Sequence, residues 1–167
     1  GFAVYWFGIR DKPNETVKKD GVDSPANSGG PRPRRANSEF ANDPLKLTSN
    51  NNLKQMVLAF HNGGDIHQFS MIQGIYDSSG KVGLSWRVAL LPYIERKDLY
   101  DQFHLNEPWD SPHNKALISR MPRTYAKPGT DPSSGMTHYR TITGPGTIFP
   151  PPPPGQPGQP ALGLKLT

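Results

Sequence analysis

The sequence of 167 residues contains no cysteine, so disulfide bonds and thiolate metal sites are excluded. It also lacks any run approaching the roughly 20 apolar residues that a transmembrane helix needs. Apolar residues make up only 34% of the chain, whereas its 17 glycines and 19 prolines together exceed a fifth of it. This composition is too rich in Gly and Pro for one compact globule, and it predicts a small core with long extended arms.

The net charge is +5 and the pI is about 9.5. Acidic residues interleave with the basic ones nearly everywhere, and the one concentrated basic run is GGPRPRR at residues 29–35. No aromatic residue stands beside this run to stack on a base, so the charge predicts no nucleic-acid partner.

The first ten residues, GFAVYWFGIR, are apolar on both alternating faces. A run of this length and type is typical of a β-strand that is buried on both sides. Because the strand cannot stay solvated, we expect it to form a subunit interface through Phe2, Val4, Tyr5, Trp6, Phe7 and Ile9. Residues 1–10 are therefore interpreted as a candidate donor strand.

Residues 11–43 form a polar arm rich in Pro, Gly, Asn and Ser. Fully extended, the arm reaches roughly 100 Å, more than the strand needs in order to fold back onto its own core. We therefore expect residues 1–10 to add to an adjacent subunit, and this head-to-tail contact to build an open polymer. Asn14 begins an Asn-Glu-Thr sequon and is the glycosylation candidate.

The globular core is predicted between residues 44 and 149. Leu53, Met56, Val57 and Phe60 recur with helical spacing, and Asn62-Gly63-Gly64 predicts the end of that helix. Two β-like stretches flank the turn signal at residues 77–80, which indicates an irregular hairpin. The inward faces of the helices predict one buried core made of Leu53, Met56, Val57, Phe60, Trp86, Leu90, Leu99, Phe103 and Trp109.

Further along the chain, Pro92 is expected to break a helix that starts near Trp86. Ser111 is predicted to N-cap a short helix with Pro112 at its first position, and Leu117 and Met121 face inward after it. The pieces TYA, THYRTITG and TIF predict a small antiparallel sheet. Residues 150–167 read as a polyproline and extended tail that ends in an exposed or edge strand.

The words NNLKQ, LSWRVALLPYIE, LYDQF, EPWDSPHNKAL and MPRTYA occur in an order that resembles the planctomycete-type family of domain of unknown function 1559, from about Ser49 to Phe149. The resemblance implies a pilin-like or pseudopilin-like protein at the cell surface with a small α+β domain. It implies no enzymatic activity and no cofactor. Attachment to a membrane is expected only through a processed or missing N-terminal segment.

Three groups of side chains contain residue types found in catalytic or metal sites. The spacing of His61, Asp65 and His67 does not match a metal motif, so no metal is expected. Asp110, Ser111 and His113 stand too close in sequence for a hydrolase triad. The remaining group is interpreted as a solvated charged face rather than an acid/base pair, and it consists of Glu95, Asp98, Asp101 and Glu107.

The sequence therefore predicts an α+β, pilin-like core with two extended arms and no catalytic residues. The favoured function is the structural subunit of an extracellular, pilus-like helical filament, with other copies of the chain as its partners. The alternative is a cell-surface module that binds glycans through exposed Trp86 or Trp109 and does not polymerise.

Overall fold

The computed structural model describes residues 4–5, 43–67 and 70–165 of the chain. A helix, α1 (Pro44–Ile66), packs against an antiparallel sheet of three strands in the order β3-β2-β5. Those strands are β2 (Ser70–Tyr76), β3 (Val82–Ser85) and β5 (Pro160–Lys165). The helices and the short antiparallel sheet confirm the predicted α+β core. None of the helices in these ranges is long and apolar enough to cross a membrane.

Short helices connect β3 to the C-terminal part of the domain. They are α2 (Trp86–Ala89), α3 (Lys97–Tyr100) and α4 (Pro112–Ala116), with 3-10 turns at Leu91–Ile94, Leu117–Arg120, Arg123–Tyr125 and Pro132–Ser134. Pro92 lies in the first of these turns, which confirms the predicted break after α2. Two short strands, β1 (Val4–Tyr5) and β4 (Met136–Thr137), pair with each other apart from the main sheet.

Helix α1 begins at a capping residue, Asp43, but ends later than the sequence predicts. At its start, the Asp43 carboxylate accepts a 2.9 Å hydrogen bond from the Leu45 amide. The predicted stop at Asn62-Gly63-Gly64 is wrong, because the helix runs on to Ile66. Gly63 is instead required by packing: a Cβ there would lie 2.8 Å from Ile72 Cδ1 and 3.1 Å from the Tyr93 ring. The glycine lets the helix approach the sheet.

The buried face of α1 is also not the one that the sequence predicts. Met56 and Ala59 are buried and Phe60 is half-buried, but Leu53 and Val57 are exposed. The helix carries two apolar stripes, and the stripe that faces the sheet is the one with small residues, Ala59 and Gly63. Close approach of helix and sheet therefore decides the face.

The rest of the predicted core is confirmed. Trp86, Leu90, Leu99 and Phe103 are buried in one cluster, and Trp109 is half-buried against it. The inward positions of Leu117 and Met121 are confirmed as well, since both belong to the same cluster.

The predicted hairpin is confirmed by β2 and β3, which pair antiparallel around the turn. Among the described residues, the sheet predicted from TYA, THYRTITG and TIF forms only as isolated bridges, an antiparallel one between Ala126 and Thr137 and a parallel one between Thr143 and Phe149, and the third strand of the main sheet is β5. That strand belongs to the segment predicted as a tail. It pairs with β2 as an edge strand. Because Ala161 is completely buried there, the pairing removes apolar surface from water.

Candidate subunit interface

The candidate interface is the pairing of β1 with β4. Val4 lies opposite Thr137 and Tyr5 lies opposite Met136, in antiparallel register within the same chain. On its other side Thr137 forms a β-bridge with Ala126. Strand β4 therefore lies between the N-terminal strand and the body of the domain, and β1 of the same chain pairs with its outer edge.

A buried tyrosine, Tyr125, holds Thr137 in place. Thr137 Oγ1 donates a 2.6 Å hydrogen bond to the carbonyl oxygen of Tyr125 and accepts one of 3.2 Å from the Tyr139 amide. Thr137 and Tyr125 are both buried. Burial raises the pKa of the Tyr125 phenol, which stays protonated and donates to the carbonyl oxygen of Arg87.

Arg87 is itself buried, although it is charged. Its Nη2 donates to the carbonyl oxygen of Tyr139, and its Nη1 donates to Ser85 Oγ at 3.1 Å. The guanidinium lies 4.3 Å from the centre of the Trp86 ring, which adds a cation–π contact. Burial lowers the pKa of Arg87 to about 10, so the side chain remains charged at neutral pH.

The Tyr139 side chain extends this network to α1. Its hydroxyl lies 3.1 Å from Ser49 Oγ and accepts a 3.3 Å hydrogen bond from Asn52 Nδ2. The segment from β4 to Tyr139 is thus held by side chains of both α1 and α2.

A second surface of interest is the outward face of α1. Leu53, Val57 and Leu58 lie next to one another there with exposed fractions of 46%, 64% and 61%. Adjacent exposed apolar side chains of this kind can form a contact surface.

The side chains considered for metal binding do not converge. His61 Nδ1 lies 3.8 Å from Asp65 Oδ1 on the exposed side of α1, as an i,i+4 pair. Within residues 4–5, 43–67 and 70–165 there is no group of three His, Asp or Glu side chains that could hold a metal ion.

The residue types of a hydrolase triad are used for local structure. Ser111 Oγ accepts a 3.2 Å hydrogen bond from the Asn114 amide and caps α4, as predicted. The His113 ring stacks on His104 at 3.6 Å, and its Nε2 lies 2.7 Å from the carbonyl oxygen of Gln102. This arrangement joins two loops and leaves no serine–histidine hydrogen bond between Ser111 and His113.

Two of the carboxyl groups, Asp98 and Glu107, have lowered pKa values. Hydrogen bonds from Ser111 and His104 lower the pKa of Glu107, and a hydrogen bond from Arg96 lowers that of Asp98. A general acid at neutral pH needs a raised pKa, so neither carboxyl group suits that role.

The two tryptophans considered for glycan binding pack against the core and are not fully exposed. Trp86 is buried beneath Arg87 and against Phe60 and Tyr125. Trp109 is half-buried against the core, and its amide donates to the Gly83 carbonyl oxygen.

Of the predicted interface residues, Val4 and Tyr5 pair with β4 of the same chain, whereas the sequence predicts that this strand adds to an adjacent subunit. Phe2, Trp6, Phe7, Ile9 and the sequon residue Asn14 lie outside the described residues. The sequence interpretation missed the residues that hold β4. The one available signal is Arg87 itself, a lone charge inside the apolar run WRVALL.

No curated protein and no solved structure matches the chain. A family model does match, over residues 46–157, and its description is "Protein of unknown function (DUF1559)". The match covers more than half of the chain and includes the helix, the hairpin and the loops up to the polyproline segment. The chain therefore belongs to the DUF1559 family.

Proposed function

We propose that this protein is the structural subunit of an extracellular, pilus-like helical filament, in which the N-terminal strand of one copy pairs with β4 of the next. The observation that supports the proposal is the antiparallel pairing of β1 with β4, two strands far apart in one chain, because the same pairing can form between two copies. The proposal assigns no catalytic step and no cofactor to the protein.

Within a single chain the two strands pair with each other, and this closed form competes directly with polymerisation. Exchange between copies keeps the same backbone hydrogen bonds and moves the donor strand to a neighbour. The arm at residues 11–43 is long enough for either arrangement, with a reach of roughly 100 Å when extended. Because donor and acceptor are different surfaces, repeated exchange is heterologous and gives an open chain of subunits.

The apolar strip Leu53, Val57 and Leu58 supports the same proposal. A strand of two described residues offers few hydrogen bonds, so a filament needs additional contact area between subunits. Burial of three aliphatic side chains from each copy supplies a favourable contribution of roughly 25 cal/mol for each Å² removed from water. We propose that this strip packs against a neighbouring copy after strand exchange.

The glycan-binding alternative gains no comparable support, since Trp86 is buried and Trp109 is half-buried. We keep it as the outcome to expect if the purified protein binds polysaccharide without assembling.

The test is electron microscopy of the purified full chain beside a chain that lacks residues 1–10. We expect filaments from the full chain and soluble monomers from the shortened one. The shortened chain retains an acceptor edge but has no donor strand, so adding it to the full chain should shorten the filaments in proportion to its share.

A matched pair of substitutions separates strand pairing from general loss of stability. Tyr5→Pro removes a backbone N–H from β1, whereas Tyr5→Thr keeps the N–H and a strand-favouring side chain. The proposal requires that Tyr5→Pro abolishes filaments and that Tyr5→Thr retains them. Filaments of unchanged length from the shortened chain would contradict it.

A further inference from the structure

We infer that Arg87 is a positioning residue for the acceptor strand β4, holding it ready for the N-terminal strand of a second copy; this inference rests on the proposed function. Strand β4 is very short. A strand of two residues, Met136 and Thr137, has too few backbone hydrogen bonds to fix its own place. Side chains from the core must therefore hold it.

Two buried connections do this, and both involve Arg87. The Arg87 guanidinium donates to the carbonyl oxygen of Tyr139, two residues beyond Thr137. The Arg87 carbonyl accepts from the Tyr125 hydroxyl, while the Tyr125 carbonyl accepts from Thr137 Oγ1 at 2.6 Å. Arg87 thus holds Thr137 indirectly, because the Arg87 carbonyl binds Tyr125 and Tyr125 binds Thr137. It holds Tyr139 directly through its guanidinium.

The environment of Arg87 is unusual for a charged side chain. The side chain is 3% exposed, and none of the ion pairs among the described residues includes it. Its Nε has no hydrogen-bond partner within the described part of the chain. Burying a charge without a carboxylate is costly, so the hydrogen bonds from this side chain must offset that cost.

A role in positioning explains why the charge is there. The planar guanidinium lies on Trp86 and directs separate N–H groups at Ser85 and at the Tyr139 carbonyl. A preformed acceptor reduces the entropy that a donor strand loses on binding. Arg87 would therefore act on strand pairing more than on the stability of the core.

The experiment is amide hydrogen exchange, followed by NMR, on the full chain at a concentration where it is monomeric. The variant is Arg87→Met, which keeps the side-chain length and removes the donors, and the control is Arg123→Met on an exposed 3-10 turn. Exchange at Tyr5, Met136 and Thr137 is compared with exchange at Ile72 and Ile75 in β2.

We expect Arg87→Met to speed exchange in β1 and β4 by about 10- to 100-fold relative to β2, the change that loss of one charged hydrogen bond produces. Arg123→Met should leave all of these rates unchanged. A uniform change across β1, β4 and β2, or no change in β1 and β4, overturns the inference.

If Arg87→Met does not fold, Arg87→Lys decides by the same comparison, because it keeps the charge and loses the guanidinium. A selective effect on β1 and β4 then supports the inference, and a uniform effect overturns it. The monomer measurement is independent of assembly. If Arg87→Met selectively speeds exchange in β1 and β4 but the protein forms no filaments, the role of Arg87 is supported and the proposed filament is contradicted. If the protein forms filaments but exchange does not depend on Arg87, the filament is supported and the role of Arg87 is contradicted.

Discussion

The hydroxyl group of Tyr125 donates a 2.9 Å hydrogen bond to the backbone carbonyl oxygen of Arg87, and both residues are buried. This contact joins the segment before β4 to helix α2, across the part of the core that contains Trp86. A short strand at the surface is thereby connected to the centre of the domain.

Removing the hydroxyl in Tyr125→Phe should lower the free energy of unfolding by about 1–3 kcal/mol, since it leaves the Arg87 carbonyl buried without that donor. Urea denaturation measures the change. Tyr93→Phe is the control, because no hydrogen bond of its hydroxyl is seen among the described residues, and it should cost under about 0.5 kcal/mol. Equal costs for the two variants would contradict the assigned role of Tyr125.

The two stripes of α1 should respond differently to truncation. Met56 is 4% exposed, so Met56→Ala should destabilise the protein by about 2–5 kcal/mol. Val57→Ala should change the stability of the monomer by less than about 0.5 kcal/mol, because its side chain is exposed. Thermal unfolding of dilute protein checks both values. A larger loss from Val57→Ala than from Met56→Ala would show that the face is assigned wrongly.

This difference shows how far the sequence specifies the fold. The turn at residues 77–80 and the cap at Ser111 depend on neighbouring residues, and both are predicted correctly. The face of α1 depends on what packs against it. Periodicity alone does not separate the stripe containing Leu53 from the stripe containing Ala59.

The candidate interface also depends on contacts between residues far apart in the sequence. The apolar pattern of the first ten residues predicts a strand, and Val4–Tyr5 is one. The strand that it pairs with, β4, lies more than 130 residues later in the chain, and Arg87 donates a hydrogen bond to Tyr139 beyond β4 from a third segment. Such a network depends on long-range contacts, which have no local pattern in the sequence.

Gly63 offers a separate test of the close approach between α1 and the sheet. Gly63→Ala improves helix propensity by about 1 kcal/mol. The added Cβ, however, meets Ile72 at 2.8 Å, and such overpacking costs about 1–3 kcal/mol. We expect a net loss of stability in urea, whereas the exposed control Asn51→Ala should give a small gain. A net gain from Gly63→Ala would contradict the packing described.

Glu107 should make stability depend on pH in the acid range. Hydrogen bonds from Ser111 and His104 lower its pKa in the folded state below the value in the unfolded chain. The carboxylate therefore contributes stability above its unfolded pKa, and this contribution is lost as the pH falls through the lower, folded pKa.

Urea midpoints measured between about pH 2 and 6 check this expectation, because the range brackets the ordinary carboxyl pKa. Glu107→Gln should flatten the dependence relative to the parent protein. If Glu107→Gln keeps the full dependence, the hydrogen bonds to Glu107 do not affect stability.

The most direct measurement of strand exchange uses the absence of cysteine from the chain. Tyr5 lies directly opposite Met136, and side chains so placed have Cβ atoms about 4.5–5.5 Å apart, which permits a disulfide after small adjustment. In the double variant Tyr5→Cys, Met136→Cys, oxidation of the assembled protein should give a ladder of covalently linked chains on a non-reducing gel. A control that pairs Tyr5→Cys with the exposed Thr130→Cys should give no ladder. Linkage confined to single chains under conditions where filaments are present would contradict exchange of the N-terminal strand between subunits.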